Sequence, residues 1–231
     1  MCMSIIRYTL AIDAANSAEF VIDTERSRSA QDAATAPAWT ALNHHQCPGC
    51  PLAAQPDSRC PAALDIAHIV EQFRELPSCQ TVHVQALIGE RAHSMQTDLQ
   101  TALQSLLGLM LATSTCPVLS CMKGPARLHM PFASVDETLF RMVGAYMIGQ
   151  YLRGRSGQST DGSLRGLADF YEQVENVNRH LKKRLDAMAG SDAHTNAIVS
   201  LMGMSMLVSF SLDQNLENLQ PYALTSGRAD A

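Results

Sequence analysis

Aromatic residues are scarce in this chain, at 5% of the total with a single tryptophan. A core short of rings is filled with Leu, Ala, Met, Val and Ile, which favours helix packed on helix. There is no dense run of Lys and Arg, and the net charge is -5. A phosphate-binding face shows clustered basic residues, so nucleic acid is not an expected partner. Lys182, Lys183 and Arg184 form only a short basic step, read as the solvated face of a helix. No apolar segment approaches the roughly 20 residues of a membrane span, and the first thirteen residues alternate in polarity unlike a signal peptide. The expectation is a cytoplasmic protein with no membrane span. A phosphate-cradling glycine loop, a nucleophile elbow and an internal repeat are all missing.

The hydropathy pattern falls into two halves. Residues 5–13 alternate at the strand period, 14–17 read as a turn, and 19–23 as the returning strand. Residues 81–87 and 91–95 form a second alternating pair around Gly89 and Glu90. Between the pairs, residues 27–38 are small and polar. Trp39 follows as an anchor for the next loop, and residues 62–76 suit a helix stopped by Pro77. From residue 97 onward the period is helical. Thr97 with Gln100, and Ser134 with Glu137, resemble capping boxes. Long apolar stripes run over 134–153 and 163–188, with residues 154–162 as a flexible link. A further helix over 192–210, nearly all apolar after Ile198, should be central or lie at a subunit contact. Ser211 with Gln214 suggests a last short helix. The expected fold is α+β, with about four antiparallel strands packed on an antiparallel helical bundle. It forms one domain over 1–225, with a sheet layer in 1–96, a helical layer in 97–220 and a disordered tail at 226–231.

Seven cysteines divide into two sets. Cys47, Cys50, Cys60 and Cys116 are each followed by proline; Cys2, Cys79 and Cys121 are not. Disulfides are rare in the cytoplasm, where clustered cysteines more often hold metal. Zinc and iron–sulfur centres both take thiolates from separated loops, and Cys-x-x-Cys opens either kind. Proline fixes the backbone after each cysteine and lowers the entropy cost of presenting four thiolates together. One metal centre per chain is expected on Cys47, Cys50, Cys60 and Cys116, either zinc, which is preferred, or a [4Fe–4S] cluster. Pro51 stands where a zinc knuckle usually has glycine, which keeps the cluster in play. A thioredoxin-like use of Cys47 and Cys50 would need a strand before and a helix directly after them. The remaining cysteines read as ordinary structural residues.

Other polar residues attach to this centre as secondary candidates. Cys121 is an alternate ligand, and His44, His45 and His129 are alternate ligands or outer-shell partners. Residues 125–134 hold Arg127 and His129 between two prolines, where Arg127 suits an anion. A polar loop surface is the plainer reading of His44 and His45. Satisfied loop polar groups are the plainer reading of Arg127 and His129. His68 with Glu71, and Glu90 with His93, lack the paired order of a di-iron bundle. Met202, Met204 and Met206 are spaced by two and cannot share a helix face, so they read as packing residues and not copper ligands.

The run Arg7 to Asp13, the segment Trp39-Thr40-Ala41-Leu42 before Cys47-Pro48-Gly49-Cys50-Pro51, and residues 126–134 together resemble a family of uncharacterised bacterial proteins. The resemblance covers nearly the whole chain. It implies organisation and not an activity. Its pattern matches the Cys-Pro positions 47, 50, 60 and 116 and expects no cysteine at 121. Three functions follow as expectations. The first is a metal-binding protein in a structural, interaction or regulatory role, meeting a protein partner or a second copy through its apolar C-terminal helices. The second is an iron–sulfur protein for electron transfer or redox sensing. The third and weakest is an enzyme using Arg127 and His129 beside the metal.

Overall fold

The computed structural model describes residues 5–13, 15–29, 33–55, 58–188, 192–210 and 216–222. Strand β1 (Ile5–Ala11) turns back as β2 (Ser17–Asp23), and β3 (Thr81–Ile88) turns back as β4 (Arg91–Asp98). All pairings are antiparallel, in the order β2-β1-β3-β4. Side chains alternate across a strand, so Ile6, Tyr8, Leu10, Phe20, Ile22, Val82, Val84 and Ile88 share one buried face. The first turn is closed by Asp13, whose Oδ1 accepts from the amides of Ala15 and Asn16 at 2.8 and 2.9 Å. In the second, Gly89 has a φ of 59°, the left-handed value that a tight two-residue hairpin turn needs at its first position.

Helices α1 (Pro61–Phe73) and α2 (Leu99–Ala112) cover the buried face. Phe20 of β2 meets Phe73 of α1, with ring centroids 6.0 Å apart, and the Tyr8 hydroxyl of β1 bonds Ser105 of α2 at 2.8 Å. The short α3 (Lys123–Ala126) leads to α4 (Val135–Arg155), α5 (Arg165–Asp186) and α6 (Asp192–Phe210). Helix α6 lies against α5 and α2. One hydrophobic cluster runs from the sheet through α1 and α2 to Leu181 and Leu185 of α5 and Ala197 and Ile198 of α6. The fold is therefore α+β.

The local signals hold with named exceptions. Ser134 forms the full capping box: its Oγ accepts from the Glu137 amide at 3.2 Å, and Glu137 Oε2 accepts from the Ser134 amide at 2.7 Å. The box expected at Thr97 does not form, because Thr97 is still paired with Val82 in β4. Asp98 caps α2 instead, accepting from the Thr101 amide at 2.8 Å. The link between α4 and α5 is tied down by side chains. Asp161 accepts from the amides of Ser163 and Gly166, at 2.9 and 2.8 Å, and from the Tyr146 hydroxyl at 2.9 Å. A Cβ at Gly166 would stand 2.5 Å from that hydroxyl, so a larger residue there would have to push the Tyr146 side chain aside. The stripe read on α4 is only partly covered. Leu139 and Met142 are buried, whereas Met147 and Tyr151 are 40% and 66% exposed. The cap at Ser211 and Gln214 and the tail at 226–231 lie outside the described residues.

Candidate metal centre

The four Cys-Pro cysteines share one local device. The carbonyl of Cys47 accepts from the Cys50 amide at 3.1 Å, and that of Cys50 from the Ala53 amide at 3.0 Å. The carbonyl of Cys60 accepts from the Leu64 amide, and that of Cys116 from the Ser120 amide, both at 2.9 Å. Each cysteine thus stands just before a turn or helix, and each proline fills its first position, where a missing N–H leaves no bond unmade. Cys47-Pro48-Gly49-Cys50 is a turn with proline second and glycine third, Gly49 having a φ of 69°, the signature of a type II turn.

At Cys60 and Cys116 the device also aims amides at sulfur. The amides of Ala62 and Ala63 favour the thiolate of Cys60, although neither makes a formal cap bond, and those of Val118 and Leu119 do the same for Cys116. Burial acts against this and raises both thiols. Cys47 is pushed up to about 12, by burial first and then by the charges of Cys60, Cys50 and Cys116. Three separate segments therefore bring four sulfurs within reach of one another's charge. The six cysteines among the described residues are all free thiols.

Helix α5 fastens the cysteine loop. Arg184, 1% exposed, donates through Nη1 to the carbonyls of Trp39 and Ala41, both at 2.7 Å, and through Nη2 to that of Leu42 at 3.1 Å. About two helical turns earlier, Asn176 donates to the Pro48 carbonyl at 3.3 Å. The loop is joined to α1 by the Cys60 amide, which donates to the Thr40 carbonyl at 2.8 Å. Arg184 faces the charges of Cys60, Cys47 and Cys50, which counter the lowering that its own burial imposes. It is no solvated step. Its spacing of three, four and seven from Leu181, Met188 and Val177 is the sequence signal that places it on the buried stripe.

The secondary candidates are scattered around or away from this centre. His44 is half-buried and His45 exposed, with their rings edge to face at 4.6 Å. Desolvation, then the charges of His45 and Arg184, hold His44 below its ordinary value. Cys121 and Cys79 are exposed, and Cys2 lies outside the described residues. Arg127 is engaged by a carboxylate of the chain itself, with Nη2 at 2.8 Å and Nε at 2.5 Å from the two oxygens of Glu25. His129 bonds the Tyr8 hydroxyl at 2.5 Å and lines a cavity that none of the four cysteines lines. Arg127 and His129 are not among the charges that act on the thiols.

By donor type, four thiolates suit zinc or an iron–sulfur cluster. Among the described residues, no three His, Cys, Asp or Glu side chains are set in an arrangement that holds a metal ion as they stand. The sulfurs are gathered into one neighbourhood without being closed around a centre. No helix among the described residues is long and apolar enough to cross a membrane. No curated protein and no solved structure matches the chain. The model of one family, described as a domain of unknown function (DUF6901), matches residues 5–223, and the chain belongs to that family.

Proposed function

We propose that the protein binds one metal ion through Cys47, Cys50, Cys60 and Cys116, and that the centre fastens the cysteine loop to α1 and to the segment after α2. The observation that carries this reading is that three separate segments deliver four thiols to one neighbourhood, where the charges of Cys60, Cys50 and Cys116 all reach Cys47. Thiolates so placed repel one another until a cation neutralises them, and Arg184 supplies only one positive charge. Zinc is preferred, because four cysteinates close a tetrahedron with no open position, which suits a fastening role. Free thiols throughout the described residues fit a reducing compartment, and we assign the protein to the cytoplasm.

The test is purification without oxygen or added metal, followed by zinc, iron and sulfide analysis and a visible spectrum. Colourless protein carrying about one zinc per chain is the expected result. Brown protein containing iron and sulfide would replace zinc with a cluster and make electron transfer or redox sensing the working role. Protein with neither metal would end the proposal.

An interaction role is supported by the uncovered side of α4, where Phe140, Ile148, Tyr151 and Leu152 are exposed together. A second copy of the chain is the partner we assign to it. Light scattering on the wild type and on Ile148→Glu checks this assignment. Association lost in the variant supports it, and a wild type monomeric at all concentrations overturns it.

A further inference from the structure

A cavity of about 240 Å³ opens where α2 and α4 meet α5 and α6. Its walls are mostly apolar, with Leu109, Leu111, Leu119 and Leu201 beside several methionines. Methionine walls adapt to the shape of an occupant. Among the described lining residues, Arg141 is the one that carries full charge at neutral pH.

Arg141 is incompletely used by the protein. Nη1 donates to the Leu128 carbonyl at 3.1 Å, while Nε is buried with no hydrogen-bond partner. No carboxylate among the described residues pairs with it; burial lowers the guanidinium, and the phenols of Tyr171 and Tyr8 lie near enough to offset part of that. Tyr171 lines the same cavity and brings a phenol to it. A buried guanidinium donor left without an acceptor costs free energy that an incoming anion would recover.

The polar groups near Arg141 on the His129 side are neutral and held by hydrogen bonds. His129 bonds the Tyr8 hydroxyl at 2.5 Å, that hydroxyl also bonds Ser105 Oγ at 2.8 Å, and Ser105 Oγ accepts from the Phe132 amide at 3.2 Å. Desolvation lowers His129 to about 3, so it adds no charge that competes with Arg141. Size narrows the ligand further. An apolar cavity of about 150 Å³ accepts benzene, so this one has room for a ring and a carboxylate but not for a nucleotide.

We propose that the cavity between α2, α4, α5 and α6 is a binding site for a small aromatic carboxylate, its anionic group held by Arg141 and Tyr171 and its ring by the leucine and methionine walls. None of the six described cysteines lines the cavity, so the site stands or falls apart from the metal centre.

Calorimetric titration of the purified, metal-replete protein with benzoate and phenylacetate tests it. Benzylamine and benzamide serve as the cationic and neutral controls. Saturable binding of the carboxylates is expected, with benzamide bound at least about tenfold more weakly and benzylamine not at all. Arg141→Gln should weaken carboxylate binding about tenfold or more while leaving metal content unchanged. Should that variant fail to fold, Tyr171→Phe provides the same reading with a several-fold loss. A folded wild type that binds neither carboxylate at millimolar concentration overturns the proposal. So does equal binding of benzamide, or carboxylate binding that survives the loss of both side chains.

Discussion

Arg184 on α5 donates a 2.7 Å hydrogen bond to the carbonyl of Trp39, joining positions 145 residues apart. Two further bonds, to Ala41 and Leu42, make this guanidinium the clamp on the segment that leads to Cys47. Arg184→Met leaves three carbonyls without their donor, at roughly 1 kcal/mol or more each. We expect a loss of about 3 kcal/mol, or a melting temperature lower by roughly 10 °C for a chain of this size. Arg184→Lys should recover only part of it, because an ammonium lacks the planar fork. Thermal unfolding of both variants checks this.

Cys60 and Cys79 should separate cleanly on substitution. Cys60 is buried at the start of α1 and within the charge of its neighbouring thiols, whereas Cys79 is exposed. Cys60→Ser is expected to lose bound metal and to unfold at a lower temperature. Cys79→Ser should stay within about 0.5 kcal/mol of the wild type with full metal content. Metal analysis alongside thermal unfolding distinguishes them.

After metal removal, thiol reactivity should follow position. The nucleophile is the thiolate, and with Cys47 pushed up to about 12 its thiol stays protonated at pH 8. Iodoacetamide should therefore label the exposed Cys79 and Cys121 first, with Cys47 gaining reactivity only as the pH approaches 12. Peptide mass spectrometry at several pH values reads the order. Equal labelling of Cys47 at pH 8 would falsify the desolvation that partial burial imposes on its thiol.

Asp65 is 0% exposed, and its Oδ1 lies 2.5 Å from Nη1 of Arg26. Arg26 also donates to Thr113 Oγ1 at 3.2 Å and to the Met110 carbonyl at 2.6 Å. The pair thus ties the end of the first hairpin to α1 and to the end of α2. Asp65→Ala strands a largely buried guanidinium, a change that costs about 3–5 kcal/mol. Denaturant titration should show that loss with little change in slope.

Asp161 should give the link between α4 and α5 an acid-sensitive component. Hydrogen bonds from Ser163, then the Gly166 amide and Tyr146, hold its carboxyl well below the ordinary 3.8. A depressed carboxyl stabilises the fold fully above 3.8. The contribution is lost as pH falls below 3.8 and through the lower folded value. The melting temperatures of the wild type and Asp161→Asn should differ at pH 7 and converge at strong acid. A constant gap across that range would remove the carboxyl from this role.

Much of the fold was legible because its signals are local. Alternation places Ile6, Tyr8 and Leu10 on one strand face whatever lies above them, and the Ser134–Glu137 box is complete within four residues. The α2 cap was misplaced by one residue because strand pairing with Val82 claims Thr97, and pairing is a long-range fact. The link at 154–162 looked free because small polar residues give no sign of the bonds that Asp161 gathers.

The sequence by itself determined the two-part architecture and marked four cysteines by the proline after each. Proline and hydrophobic period act through the nearest few residues, so they can be read one segment at a time. Only the tertiary structure decided which helix clamps the cysteine loop, that Arg184 is buried against it, and that Arg127 is taken by Glu25. It also decided that His129 and Arg141 face a cavity apart from the thiols. Those are contacts between residues up to 145 positions apart. They depend on how whole elements pack, and packing leaves no mark in the spacing of nearby residues.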